Sequence, residues 1–82
     1  MRLQEGFVLL KSFRSADGRR EVVIYRRPDG LYGFAGERFT EEDGEEYWEP
    51  AEQSGIYESA EEAERGALAE IAWFAGLSRN SN

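Results

Sequence analysis

The sequence contains no cysteine and no histidine. The first absence excludes a disulfide framework and thiolate-bound zinc, and the second removes the usual general base and the commonest metal ligand. Lysine occurs once, at Lys11, and proline twice, at Pro28 and Pro50. Long apolar runs are also missing. Near the amino terminus the longest is Phe7–Leu10, too short for a signal-peptide core or a membrane span. These absences predict a soluble, intracellular chain, most simply a cytoplasmic one. With 82 residues it suits one domain, expected over residues 1–77 with a frayed tail at 78–82. A chain of this size buries only about 60% of its unfolded surface, so packing must carry its stability, with self-association as a further source.

What is present is β-favouring residues first and helix-favouring residues last. Phe7–Phe13 is apolar and stops at Ser15-Ala16-Asp17-Gly18; Arg20–Arg27 contains the β-branched run Val22-Val23-Ile24-Tyr25 and stops at Pro28-Asp29-Gly30. Both stops end in Asp-Gly, which tolerates the positive φ of a tight hairpin turn. A third strand is expected over Leu31–Phe39, then a polar loop at Thr40–Glu46 and a short fourth strand at Tyr47-Trp48-Glu49, halted by Pro50. Ser59 with Glu62 forms a capping box for a helix over Ala60–Ala75, and Gly76 and Leu77 form its carboxy-terminal cap. The expected fold is α+β: a three- or four-stranded antiparallel β-meander with one C-terminal α-helix packed on one face.

At 100° per residue, Ala60, Ala63, Ala67, Ile71 and Phe74 make one helical stripe, flanked by Leu68 and Ala75, that predicts the core. Trp73 lies off the stripe. If both Asp-Gly pairs are two-residue turns, Phe13 opposes Val22 and Ile24 opposes Ala35. Phe7, Leu9, Phe13, Val22, Ile24 and Leu31 then share one face, and Val8, Leu10, Val23, Tyr25, Tyr32 and Phe34 the other. One helix covers one face. The surplus predicts either cover by the loop of Tyr47 and Trp48 or a homodimer, with Trp73, Tyr25, Tyr32 and Phe34 as the candidate partner surface.

No catalytic, cofactor-binding or metal site is expected. Lys11 has no serine paired with it in the sequence, and Glu41–Glu46 does not match calcium-loop spacing; Gly30, Gly33 and Gly36 lack the Gly-x-Gly of a phosphate loop. The net charge of −7 is unevenly spread: residues 1–36 hold seven basic and four acidic side chains, and residues 37–82 three basic and thirteen acidic. Arg14, Arg19, Arg20, Arg26 and Arg27, interleaved with Tyr25, Tyr32 and Phe34, form a candidate nucleic-acid patch. Over about half the chain, Arg26-Arg27-Pro28, Tyr47-Trp48 and Ser59-Ala60-Glu61-Glu62-Ala63-Glu64 resemble the plant ethylene-response-factor DNA-binding domain. That resemblance implies three strands, one helix, and DNA contacts by arginine and tryptophan from the sheet. The chain departs from the family in having no tryptophan in its first three strands and an acidic second half.

The leading expectation is a small non-catalytic protein-interaction module. Nucleic-acid binding through the Arg14–Arg27 hairpin is one alternative. An acidic decoy, with residues 41–64 occupying a basic partner, is the other.

Overall fold

The computed structural model describes residues 4–79. Four strands, β1 (Val8–Arg14), β2 (Arg20–Arg26), β3 (Tyr32–Glu42) and β4 (Glu45–Tyr57), form one antiparallel sheet in the order β1-β2-β3-β4. Two helices follow, α1 (Ala60–Glu70) and α2 (Ala72–Arg79), and pack on one face. The architecture is therefore the expected α+β meander, with the helical segment divided in two.

The turns decide which side chains meet the helices. Between β1 and β2, Ser15 N–H donates to Arg20 C=O at 2.9 Å and closes a four-residue loop in which Gly18 takes φ +73°. Four residues have the parity of the two-residue turn expected, so Phe13 faces Val22 as anticipated. Between β2 and β3 the outcome differs. Arg27 N–H donates to Leu31 C=O at 2.7 Å, leaving the three residues Pro28-Asp29-Gly30 in the loop with only Gly30 left-handed, at φ +87°. The extra loop residue slips the register by one, so Ile24 faces Phe34 and not Ala35. Phe34 and Tyr32 thereby move to the helix side, which corrects the face assignment made from the sequence.

A bulge at Leu10 likewise shifts Val8 and Leu9 against β2, with Val8 opposite Arg26 and Leu9 opposite Tyr25. The buried core on the helix side is Val22, Ile24, Phe34, Ala63, Ala67, Ile71 and Phe74, with Phe13, Tyr32, Tyr57, Ala60, Leu68 and Trp73 packed against it. The alanines of α1 allow close approach, and so does Gly66, where a methyl group would overlap the Tyr57 ring and hydroxyl. On the opposite face, Val23, Tyr25 and Ala35 are buried beneath Phe7, whose ring lies 5.6 Å from that of Tyr25. Tyr25 lies beside Gly33 and Gly55, whose missing side chains leave it room.

The expected polar loop at Thr40–Glu46 is instead the end of a long hairpin. Asp43 and Gly44 both have positive φ, 53° and 82°, the signature of a two-residue primed turn. Phe39 and Trp48 pair across the strands at 5.6 Å and hold the arm together. β4 also runs through Pro50. It is an outer strand, so the missing N–H breaks no ladder on its free side, and one-residue bulges fall at Ala51 and at Gly55–Ile56.

Ser59 is extended at φ −148° and its hydroxyl accepts from Glu62 N–H at 3.1 Å, the expected N-cap. Glu62 reaches back one residue further than a standard capping box, accepting from Glu58 N–H at 3.3 Å. The helix then breaks at Ile71, which is extended (φ −111°, ψ 103°), and restarts as α2. Ile71 stays buried through the break, and Phe74 reaches Phe13 of β1 at 4.8 Å. Gly76 therefore does not terminate the helix. Ser78 and Arg79, expected in the tail, are in α2, and residues 80–82 lie outside the described residues.

Because Phe34 is 0% exposed, Phe34→Ala should lower stability by about 3–5 kcal/mol. A loss of less than about 1 kcal/mol in the unfolding free energy from urea denaturation would contradict this register.

Candidate interaction surface

A side chain can serve a partner only if the fold leaves it accessible, and the register slip removes two of the aromatic candidates. Phe34 lies at the centre of the core and Tyr32 packs against it. Tyr25 is buried on the other face between Phe7 and the glycines of β3 and β4. Trp73 is half-buried, its ring 5.9 Å from Phe74. The four candidates therefore do not form one exposed surface. Trp48 does not cover Tyr25 either. It lies at the opposite end of the sheet, where the Arg14 guanidinium sits 5.4 Å above its ring and that of Arg19 sits 5.9 Å from Phe39. Asp17, Gly18, Arg19, Phe39 and Trp48 line a shallow depression of about 290 Å³ there.

The arginines divide between two ends of the first hairpin. Arg14, Arg19 and Arg20 sit by the β1–β2 loop, and Arg26 and Arg27 sit one strand length away, about 20 Å. Three are tied to carboxylates: Arg14 to Glu21 at 2.9 Å, Arg20 to Glu52 at 3.4 Å and Arg27 to Asp29 at 2.9 Å. Arg27 also donates to Gly55 C=O at 2.6 Å. Among the described residues, Arg19 and Arg26 have no ion-pair partner.

The Arg20–Glu52 pair sits on the helix side, where Gly36 leaves space for the Glu52 carboxylate. Arg20 Nε and Glu52 Oε1 are buried there without hydrogen-bond partners. Among the described residues, no group of three acidic side chains is arranged to hold a metal ion, and no helix is long and apolar enough to cross a membrane.

Accessible apolar side chains are found elsewhere, on the outer strands. Val8, Leu9 and Leu10 are 41%, 53% and 42% exposed on β1, and Ile56 is 76% exposed on β4. The sequence shows the apolar run at Phe7–Leu10 but not that it forms a sheet edge, because edge status depends on strand order. Near the same end, a depression of about 380 Å³ is lined by Phe7, Tyr25, Arg27, Gln53, Ser54 and Gly55.

Comparison with family models, with curated proteins and with solved structures finds no match. The likeness to the ethylene-response-factor domain thus carries no residue roles to this chain.

Two carboxyl groups are held below their ordinary pKa. Asp17 accepts from the Ser15 hydroxyl at 2.6 Å and from Arg19 N–H at 3.0 Å. Glu49 accepts from the Thr40 hydroxyl at 2.7 Å and then from Arg38 Nε at 2.6 Å. Each bond favours the charged form. A depressed folded-state pKa contributes stability above the group's unfolded value, and that contribution fades as pH falls through the folded value. Thr40→Val should therefore raise the Glu49 pKa toward the ordinary carboxylate value in a carboxyl-carbon NMR titration. An unmoved pKa would show that Arg38 alone sets it.

Proposed function

We propose that this chain is a small non-catalytic protein-interaction module that presents the β1 edge to its partner. The observation that carries the reading is the run Val8-Leu9-Leu10, three large apolar side chains in succession, all exposed, on an outer strand. An edge strand turns alternate N–H and C=O groups away from its neighbour, and an apolar edge invites further pairing. Such exposure is tolerated where it serves an interaction.

The ion pairs favour a protein partner over nucleic acid. Three of the five arginines of the first hairpin already spend charge on carboxylates, and the five do not converge. Self-association through the helix-free face loses its main support, since Tyr32 and Phe34 are on the helix side.

A photo-crosslinking amino acid at position Leu9 should yield a discrete, nuclease-resistant protein adduct in cells, while the same probe at Ala69, exposed on α1, should not. Equal labelling from both positions, or adducts abolished by nuclease, would refute the reading.

A further inference from the structure

We propose that the depression beside the β1–β2 loop, lined by Asp17, Gly18, Arg19, Phe39 and Trp48, is a binding site for a free α-amino acid with an aromatic side chain. β1 ends beside this depression, whereas Val8–Leu10 begin the strand. The inference therefore goes beyond the interaction reading and does not depend on it.

The floor comes from the arm. Phe39 and Trp48 are cross-strand partners on β3 and β4, and their rings meet edge to face at 5.6 Å. Both are half-buried, so part of each ring stays open to a ligand. The β1–β2 loop is tied to the arm by Phe39 N–H, which donates to Arg19 C=O at 2.7 Å, and the Arg19 guanidinium sits 5.9 Å from the Phe39 ring. A volume of about 290 Å³ is at the small end of the range for ligand pockets and suits a small molecule rather than a polymer.

Charge at the rim selects the ligand. Arg14, above the Trp48 ring, is already paired with Glu21 at 2.9 Å. Arg19 has no ion-pair partner among the described residues, and Asp17 has none either. The Asp17 carboxylate accepts from the Ser15 hydroxyl at 2.6 Å and from Arg19 N–H at 3.0 Å, both at Oδ1. Those bonds hold it ionised and leave Oδ2 for a further donor. An unpaired cation and an unpaired anion thus line one shallow space. An anion drawn by Arg19 is repelled by Asp17, and a cation drawn by Asp17 is repelled by Arg19. A ligand carrying both signs satisfies both. The ammonium of an α-amino acid donates to Asp17 Oδ2, its carboxylate accepts from the Arg19 guanidinium, and an aromatic side chain lies against Phe39 and Trp48.

The test titrates the full chain with phenylalanine, with phenylpropionate, which lacks the ammonium, with phenethylamine, which lacks the carboxylate, and with alanine, which lacks the ring. Amide and indole N–H chemical shifts are the readout. Phenylalanine should bind saturably in the millimolar range and move Gly18, Arg19 and the Trp48 indole. It should bind at least about threefold more tightly than each of the other compounds, the scale of an exposed ion pair. Asp17→Asn keeps an acceptor for Ser15 and for Arg19 N–H, and it should erase the advantage of phenylalanine over phenylpropionate. Arg19→Gln should erase the advantage over phenethylamine. Both variants alter exposed side chains, so shifts elsewhere should stay in place. No saturable shift at the solubility limit of phenylalanine, equal shifts from all the compounds, or preferences that survive both substitutions would overturn the proposal. The cross-link from position Leu9 probes a different surface, so its failure would remove the interaction reading and leave this site standing, and the reverse.

Discussion

The pairing of Ile24 with Phe34 is the contact on which the rest of the molecule depends. It places the two largest fully buried sheet side chains side by side beneath Ala63 and Ala67, and it is set by the three residues of the Pro28-Asp29-Gly30 loop. Side chains alternate with a period of two, so one residue more or fewer in this loop would turn Phe34 outward and bring Ala35 under the helices. The helix stripe is built of alanine at its centre and therefore requires a bulky partner from the sheet. The loop and the stripe thus specify the same register from opposite sides, a consistency across levels that gives a short chain a single core.

The same slip explains how the helix-free face is managed. With Tyr32 and Phe34 withdrawn, that face retains Val23, Tyr25 and Ala35, and Phe7 is enough to cover them. Gly33 and Gly55 complete the solution by letting Tyr25 lie down against the sheet. No second helical layer is needed, and the molecule is a slab with extents of 40 × 35 × 16 Å. What cannot be covered in this way is the outer strand itself, and there the apolar side chains remain exposed.

The sequence and the structure agree wherever a short stretch of residues decides the outcome. Ser59 caps α1, the stripe Ala63, Ala67, Ile71 and Phe74 is buried, and each strand up to Phe39 lies where its composition places it. They part where the outcome depends on parity or topology. Pro28-Asp29-Gly30 reads as a turn in which Asp29-Gly30 are the two central residues, and only the hydrogen bond from Arg27 to Leu31 reveals that all three residues form the loop and so shift the register by one. The acidic run Glu41–Glu46 reads as a solvated loop, although Asp43-Gly44 between Phe39 and Trp48 carried the hairpin signal. The break at Ile71 has neither proline nor glycine to announce it. The exposed edge was invisible for a different reason: β1 becomes an edge only because the strands follow one another in order and none returns to flank it.

The break at Ile71 leaves helices of 11 and 8 residues. Isolated helices shorter than about 12–15 residues are marginal in water, so neither segment holds its shape apart from the sheet. Helicity in this protein is thus a tertiary property. Docking and coiling are one event, and far-ultraviolet circular dichroism reports the integrity of the Phe34 core as directly as it reports the helices themselves.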